Sequence, residues 1–283
     1  MSELITVGII GSGIMGAGLA EVVARAGFDV VVRSRTKSGA DDVQDTVEKN
    51  LTRLVGKGKL EDTEKAATLE RITCTDHLGR LAECDLVIES VVEDLDVKRA
   101  LFAELEQIVK TDGILATNTS TLPVVELAIE TERPDRVCGI HFFNPAPVMK
   151  LVEVVRPITA SDATIKTALE FATACGKDAI EVADRAGFVV NALLFPYLNN
   201  AVRLWEQGTA SKEDIDTAMQ GGCNFPMGPF ALLDLVGIDT SLAILEALYD
   251  ESREQNYAPV PTLRRMVSAG MLGRKSGEGF YRY

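Results

Sequence analysis

The chain has 283 residues, of which 46% are hydrophobic and 25% are charged, a composition typical of a soluble globular protein with room for two domains. Acidic residues outnumber basic ones by 42 to 29, and the net charge of -13 argues against nucleic acid or a membrane surface as a partner. The five scattered cysteines indicate no metal site, and the absence of a signal pattern or a long apolar run predicts a cytoplasmic protein.

A glycine-rich loop follows the first predicted strand. The apolar run 4–10 predicts a buried strand, and it leads into G-x-G-x-x-G at 11–16 and a helix over 17–26. In such a loop the first glycine permits a tight turn, the second lets the backbone approach a pyrophosphate, and the third allows close helix packing. With a second strand over 29–32, the segment predicts a dinucleotide site. The residues expected to contact the dinucleotide here are Gly11, Gly13, Ile14, Met15 and Gly16.

The residues after the second strand differ from the pattern that selects NAD. A carboxylate usually ends this strand and binds the adenosine ribose, but here the sequence is Arg33, Ser34, Arg35. A carboxylate would repel a ribose 2′-phosphate, whereas a serine flanked by arginines can bind one. NADP therefore stands beside NAD as the expected cofactor. The alternative is that the arginines are solvated surface charges and the pocket does not discriminate.

A charge-rich helical stretch over 41–69, broken by glycines, predicts a helical hairpin inserted near 45–70. Lys49, Arg53 and Lys57 form a basic cluster in this otherwise acidic chain. Such a cluster can hold the phosphates of a substrate tail, although a solvated helical face is the more common explanation of such a run.

Strands predicted at 85–90, 114–117 and 137–140 are each followed closely by polar residues. The carboxyl ends of parallel strands line the ligand crevice of an α/β sheet, so these polar residues are candidate site residues. The residues expected on the cofactor side are Glu89, Lys98 and Asn118. Ser120 is interpreted either as a substrate contact or as the N-cap of the helix that follows it.

The stretch from His141 to Glu153 puts a histidine and a carboxylate on neighbouring apolar runs, joined by a loop that contains prolines. A strand, a tight loop and a second strand can bring the two side chains together. The carboxylate would then orient an imidazole that takes up and returns a proton near neutral pH. The pattern predicts an acid/base dyad, with a buried histidine satisfied by a structural acid as the alternative.

Alternation of strands and helices stops after Asp184, and only helical patterns follow. We therefore predict a Rossmann-type α/β domain with a mostly parallel sheet over 1–184, and an all-α domain for substrate binding and dimerisation over 185–283. Asn191, near the start of the second domain, is either a crevice residue or a structural polar group. The apolar residues of this domain exceed what its short helices can hide, which predicts a homodimer.

The chain resembles the L-3-hydroxyacyl-CoA dehydrogenase family nearly end to end, and within it the short, single-function 3-hydroxybutyryl-CoA dehydrogenases of bacteria. The motifs that carry the resemblance are GSGIMG at 11–16, VIESVVE at 87–93, TNTST at 117–121, the stretch 141–153, GFVVN at 187–191, NFPMGP at 224–229 and GRKSGEGFY at 273–281.

This resemblance implies an oxidoreductase that interconverts (S)-3-hydroxybutyryl-CoA, or another short 3-hydroxyacyl-CoA, and acetoacetyl-CoA with NAD(P). It implies His141 as the general base, Glu153 as its partner, and Ser120 and Asn191 as contacts to the substrate oxygen. The residues expected to contact the acyl-CoA are Lys49, Arg53, Lys57, Ser120, Asn144 and Asn191. The alternatives are a dehydrogenase of a free hydroxy acid or sugar acid, and a non-enzymatic cofactor-binding protein on the same scaffold.

Overall fold

The fold is that of a computed structural model, and its description covers residues 5–283. Residue 4, with which the first predicted strand begins, lies outside them. The chain separates into two compact units, one that ends at Asp184 and one that runs from Arg185 to Tyr283.

The first unit is built on one eight-stranded sheet in the order β3-β2-β1-β4-β5-β6-β7-β8. Its strands are β1 (Thr6–Ile10), β2 (Asp29–Arg33), β3 (Ile72–Thr75), β4 (Leu86–Glu89), β5 (Ile114–Thr117), β6 (Val137–Phe142), β7 (Leu151–Arg156) and β8 (Asp178–Ala183). Neighbouring strands are parallel except β6 and β7, which are antiparallel. The strand order reverses between β1 and β4, which makes their carboxyl ends the crevice of the sheet. The predicted fold class, a Rossmann-type sheet that is mostly parallel, is confirmed.

Six helices accompany the described part of this sheet. They are α1 (Ile14–Arg25), α2 (Lys37–Gly56), α3 (Asp62–Glu70), α4 (Leu95–Glu106), α5 (Val125–Ala128) and α6 (Asp162–Ala174). The hairpin near 45–70 consists of α2 and α3, joined across their surfaces by Lys65, whose ammonium reaches Glu48 at 3.3 Å and Thr52 at 2.9 Å. Helix α2 begins earlier than predicted because Thr36 caps it, accepting a hydrogen bond from the Gly39 amide at 3.1 Å.

The second unit is all-α, as predicted. Its helices are α7 (Val190–Glu206), α8 (Lys212–Cys223), α9 (Pro229–Val236), α10 (Ile238–Ser252) and α11 (Pro261–Ser268). An aromatic cluster stands in its core, where the ring centroid of Phe230 lies 4.8 Å from that of Phe280 and 6.2 Å from that of Trp205. These edge-to-face contacts link α7, α9 and the C-terminal segment.

A buried carboxylate fixes the C-terminal segment of the second unit. Asp234, 1% exposed, accepts hydrogen bonds at 2.8 Å from the amides of Phe280 and Tyr281. Its second oxygen also accepts one at 3.1 Å from the hydroxyl of Tyr283. A Cβ on Gly279 would lie 2.1 Å from the same carboxylate, so only glycine lets the segment come this close. The segment therefore supplies the donors that a buried charge requires.

Candidate active site

The glycine loop between β1 and α1 has the geometry of a pyrophosphate site. Gly11 has a φ of 130°, and a Cβ there would lie 2.2 Å from a backbone carbonyl of the β4 to α4 loop. A Cβ on Gly16 would lie 2.1 Å from the Gly11 carbonyl, whereas Gly13 has open space around it. Gly13 is also the N-cap of α1 and caps it with no side chain. Ile14 is 77% exposed and Met15 packs partly against the core, so the loop leaves the first amides of α1 accessible to an anion.

Three hydroxyl groups converge where β2 ends and α2 begins. Ser34 is 3% exposed, and its amide donates to the Thr75 carbonyl at 2.9 Å. The space beside Gly39 is surrounded by the hydroxyl oxygens of Ser34, Ser12 and Thr36, which would lie 2.3, 3.2 and 3.2 Å from a Cβ at that position. The end of β2 is thus lined by neutral donors where a carboxylate would select an unphosphorylated ribose.

The charges near these hydroxyls are mainly positive. Arg33 ends β2, and its Nε is buried with no hydrogen-bond partner among the described residues. Arg35 follows on the exposed surface. The first turn of α2 contains no acidic residue, and its first residue, Lys37, forms an exposed ion pair with Asp41 at 3.6 Å. An anionic group is therefore electrostatically acceptable here.

Lys49, Arg53 and Lys57 lie on the exposed surface of α2 and at its C-cap. Their spacing of four residues puts them on one face of the helix. None of the three forms an ion pair within 4.0 Å among residues 5–283, in contrast to Lys65 nearby. The three exposed cations therefore lie along one face of α2.

His141 and Glu153 are directly opposite each other in the antiparallel pair of β6 and β7. The ring Nδ1 of His141 lies 2.8 Å from Oε2 of Glu153, and the two residues are 4% and 0% exposed. Because an ionised carboxylate can only accept, Nδ1 is the protonated nitrogen of the neutral ring and Nε2 keeps its lone pair. The Phe143 ring covers the imidazole at a centroid distance of 4.5 Å. The arrangement can take up a proton at one defined atom, Nε2.

Ser120 lies on the Nε2 side of the histidine. Its hydroxyl oxygen is 3.2 Å from Nε2 of His141. The alternative interpretation of Ser120 as a helix cap is wrong, because α5 begins later and Asp184 caps it, accepting hydrogen bonds from the amides of Val124 and Val125 at 2.9 and 2.8 Å. The serine hydroxyl and the histidine nitrogen are therefore within hydrogen-bonding distance of each other.

Three asparagines were predicted to be site residues, and they lie in different surroundings. Asn118 is half-buried at the carboxyl end of β5, where its amide oxygen accepts a hydrogen bond from the Phe142 amide at 2.8 Å and its nitrogen donates to Ser90 at 3.4 Å. Asn144 is exposed in the loop between β6 and β7. Asn191 belongs to the second unit, 8% exposed in the first turn of α7. The amide oxygen of Asn118 thus bonds the strand that carries His141.

Glu89 and Lys98, the residues predicted on the cofactor side, form a buried ion pair. They are 0% and 1% exposed, and the Lys98 ammonium lies 2.7 and 2.9 Å from the two carboxylate oxygens. Glu89 also accepts hydrogen bonds from the Val91 amide at 2.6 Å and the Thr117 hydroxyl at 2.7 Å. The Glu89 carboxylate therefore links the end of β4 to α4 and to the end of β5.

Glu93 and Thr119 were not among the residues predicted from the sequence. The Glu93 carboxylate lies 3.2 Å from the Lys98 ammonium and accepts hydrogen bonds from the Thr119 hydroxyl and, at 2.9 Å, from the Ser120 amide. Glu93 lies in the motif at 87–93 and Thr119 in the motif at 117–121. However, an acidic residue in a loop belongs to no periodic pattern that would indicate its partner. Only the contact across 27 residues of sequence reveals it.

Some kinds of site are not found among residues 5–283. No group of three or more His, Cys, Asp or Glu side chains there could hold a metal ion. In the same part of the chain, none of the helices has both the length and the apolar character needed to span a membrane.

Comparison with known proteins gives consistent results over the whole chain. Residues 6–185 match the 3-hydroxyacyl-CoA dehydrogenase NAD binding domain, and residues 187–283 match the C-terminal domain of that family. The chain is 47% identical over 276 residues to a probable 3-hydroxybutyryl-CoA dehydrogenase from Deinococcus radiodurans, which covers 98% of this chain and 99% of that protein. It is 46% identical to a 3-hydroxybutyryl-CoA dehydrogenase from Clostridioides difficile, with 97% and 98% covered. The crystal structure of (S)-3-hydroxybutyryl-CoA dehydrogenase from Ralstonia eutropha superposes with a TM-score of 0.97 at 42% identity, covering 99% of each chain.

Proposed function

The chain belongs to the 3-hydroxyacyl-CoA dehydrogenase family, and from this we propose that it interconverts (S)-3-hydroxybutyryl-CoA and acetoacetyl-CoA with NAD(P). The family that the sequence motifs indicated is thereby confirmed. The observation that carries the proposal is the buried pair of His141 and Glu153, with Ser120 on the open side of the ring. The glycine loop, whose second glycine has room for a close ligand, supports a dinucleotide in the same unit.

Proton transfer is the part of the reaction that this chain performs. We propose that Nε2 of His141 accepts the proton of the substrate 3-hydroxyl during oxidation and returns it during reduction. Glu153 keeps the ring in the required tautomer and stabilises the imidazolium, because a buried carboxylate beside Nδ1 compensates its positive charge. Ser120 and Asn191 are proposed to hold the substrate oxygen. NAD(P), when bound, supplies or accepts the hydride.

The CoA moiety is proposed to bind along the basic face of α2. Lys49, Arg53 and Lys57 carry three exposed cations without described ion-pair partners, on a chain whose net charge is -13. Phosphate groups are the ligands that such a face attracts. Asn144, exposed in the loop that joins the two strands of the dyad, is proposed as a contact for the acyl portion.

We propose that the adenosine ribose pocket prefers NADP(H). Ser34, Ser12 and Thr36 offer hydroxyl donors around one small space, and the buried Nε of Arg33 has no described hydrogen-bond partner. A ribose 2′-phosphate would accept hydrogen bonds from these groups. NAD has no 2′-phosphate to accept hydrogen bonds from these hydroxyl and guanidinium groups. Position 34 also has no carboxylate that could bind the 2′-hydroxyl of NAD. Arg35 is proposed as a further exposed contact to the phosphate.

The protein is proposed to be a cytoplasmic homodimer that associates through its second unit. Large apolar side chains of that unit remain exposed. They are Val189, Leu193, Leu204, Trp205, Phe225 and Leu235. A second copy of the chain would remove this surface from water. The five cysteines are all unpaired, which suits a reducing compartment.

The proposal is tested by the initial rate of acetoacetyl-CoA reduction, measured with NADH and with NADPH. His141→Ala should lower kcat by at least about 100-fold, because general acid and base catalysis is worth that much. His77→Ala is the matched control, since His77 is the only other histidine and its side chain is 84% exposed. A wild-type protein that reduces no acyl-CoA with either cofactor would favour a free hydroxy acid substrate or a non-enzymatic binding protein.

A further inference from the structure

Glu93 joins two parts of the first unit that the sequence keeps apart. Its carboxylate stands in the loop between β4 and α4, and one oxygen accepts a hydrogen bond from the Ser120 amide at 2.9 Å, in the loop after β5. The same oxygen accepts a hydrogen bond from the hydroxyl of Thr119. The other lies 3.2 Å from the ammonium of Lys98. The carboxylate is therefore held on one side by a cation and on the other by the serine loop.

The cation that holds Glu93 is itself immobilised. Lys98 is 1% exposed and bonded to both oxygens of Glu89, which is completely buried. Glu89 in turn binds Thr117, the last residue of β5. Two carboxylates thus share one ammonium. A buried ammonium with these partners cannot change rotamer without leaving charges unpaired, so it is a fixed anchor for Glu93.

The loop that carries Ser120 depends on this anchor. Residues 118–122 belong to no helix or strand, although the Asn118 amide at their start donates to the Glu89 carbonyl at 2.8 Å. Thr119 organises the loop, because its hydroxyl donates to Glu93 and accepts from the amides of Leu122 at 3.0 Å and Thr121 at 3.4 Å. Without the Glu93 carboxylate, the Thr119 hydroxyl and the Ser120 amide both lose the acceptor that orients them.

We propose that Glu93 is a positioning residue that acts through Ser120: it holds the backbone so that the Ser120 hydroxyl stays 3.2 Å from Nε2 of His141. This inference rests on the proposed function, in which Ser120 and His141 contact the same substrate oxygen. A displacement of about 1 Å in such a pair is enough to cost about 100-fold in rate.

Glu93 can be distinguished from a residue that only stabilises the fold. The side chain of Glu93 is 40% exposed, so it fills no space in the core. Glu126 provides a matched control, since its side chain is 37% exposed and its carboxylate also pairs with a cation of α4, Arg99. Loss of either residue removes a half-exposed carboxylate that pairs with a cation of α4, but Glu93 is the one that accepts a hydrogen bond from the Ser120 amide.

The first experiment needs no turnover. Hydrogen exchange followed by mass spectrometry measures deuterium uptake in the peptide that contains residues 118–122, for the wild type, Glu93→Ala and Glu126→Ala. Glu93→Ala should raise the uptake of that peptide at least several-fold at early times, while Glu126→Ala leaves it unchanged. Equal uptake in Glu93→Ala and the wild type would overturn the inference even if the protein had another activity.

The second experiment is a double-mutant cycle on acetoacetyl-CoA reduction with Glu93→Ala and Ser120→Ala. Glu93→Ala should lower kcat by roughly 10-fold to 100-fold and change the KM for acetoacetyl-CoA by less than about 3-fold. In the Ser120→Ala background the same change should lower kcat by less than about 2-fold, because the hydroxyl that Glu93 positions is then gone. Equal losses in both backgrounds would show that Glu93 does not act through Ser120.

Glu93→Gln keeps the inference testable if the alanine variant folds poorly. The amide of glutamine retains one oxygen that can accept the Ser120 amide, but it loses the ion pair with Lys98. We expect a partial recovery, with a kcat between those of the wild type and Glu93→Ala. If the wild type reduces no acetoacetyl-CoA, the proposed function is rejected but the role of Glu93 is not. The hydrogen-exchange experiment would still decide whether Glu93 holds the loop.

Discussion

Glu153 is completely buried, and the described partner that balances its charge is a histidine that must gain and lose a proton. A carboxylate in this position attracts the protonated ring more strongly than it would in water, since the low dielectric of the interior strengthens the attraction. The same carboxylate fixes the tautomer when the ring is neutral. A single buried residue therefore acts on both protonation states of His141.

Glu153→Gln should lower kcat by about 100-fold or more, because the neutral amide neither stabilises the imidazolium nor selects one tautomer. The dissociation constant of NADPH, measured by quenching of protein fluorescence, should stay within about 2-fold, since Glu153 is proposed to act on the proton only. An unchanged kcat would remove Glu153 from the mechanism.

Ser34→Asp should reverse the cofactor preference. The introduced carboxylate would repel a 2′-phosphate and accept hydrogen bonds from an unphosphorylated ribose. We expect binding of 2′,5′-ADP, measured by calorimetry, to weaken at least about 10-fold, while binding of 5′-AMP strengthens or stays the same. Lys166→Gln, a change at a 74% exposed lysine of α6, is the control, because it alters the net charge by the same single unit. A wild type that binds both nucleotides equally well would reject the NADP preference.

The strands and the glycine loop could be predicted from sequence because apolar runs and glycine spacing are local signals. The approach of His141 to Glu153 could also be predicted, since a short connection between two strands leaves few registers. The cap of α5 could not, because Asp184 is 60 residues from the amide that it binds. The burial of Lys98 was likewise invisible, since a lysine in an amphipathic pattern is normally exposed.

The basic face of α2 should determine the affinity for the CoA portion of the substrate. Arg53→Glu is expected to raise the KM for acetoacetyl-CoA by about 10-fold with little change in kcat, because the lost interaction would be equal in the ground state and the transition state. The KM of the wild type should also rise with salt concentration, as expected for exposed charges. A KM insensitive to both changes would locate the CoA phosphates elsewhere.

The start of β1 depends on a carboxylate at the start of β4. Asp85 accepts hydrogen bonds from the amides of Ile5 and Thr6 at 2.8 and 2.9 Å and pairs with Lys110. Burial alone would raise the pKa of Asp85, but the Lys110 ammonium and the two amides outweigh that effect and hold the pKa below its usual value. Ionised Asp85 therefore stabilises the fold fully above the pKa of the unfolded chain, about 3.9.

This contribution should disappear as the pH falls through the lower pKa of the folded protein. Asp85→Asn is expected to reduce Tm at pH 7 by roughly 2–4 °C, and the difference from the wild type should narrow below about pH 4. Thermal unfolding followed by circular dichroism at pH values from 7 to below 4 measures both the Tm difference and its decrease with pH. Asp96→Asn, at a 93% exposed carboxylate, is the control, and a difference from the wild type that stays constant with pH would contradict the assignment.

At the scale of the whole molecule, a net charge of -13 keeps copies of the chain apart, so association requires a substantial apolar surface. The second unit has such a surface. Leu193 is 71% exposed and Leu204 is 44% exposed, and their separation of about three helical turns puts both on one face of α7. Apolar residues at this spacing form a stripe that a second helix can cover.

Light scattering during gel filtration should give a mass of about twice the 30.6 kDa of one chain. Leu193→Glu should shift the protein toward the mass of one chain, because a charge in the apolar contact would be desolvated. Ile158→Glu is the matched control, since Ile158 is 94% exposed but lies in the first unit. A dimer unaffected by Leu193→Glu would move the interface away from this face of α7.

The hydrogen bonds between Asp234 and the C-terminal segment also determine the order in which the two units can fold during synthesis. Asp234 leaves the ribosome 46 residues before Phe280, the residue whose amide it will bind. Until that segment emerges, α9 carries a carboxylate without the donors that its burial requires, and the aromatic cluster lacks one ring. The first unit, whose last residue is Asp184, has all of its strands much earlier. The nascent chain therefore acquires its sheet first, and the helical unit can close only after its last segment has been made.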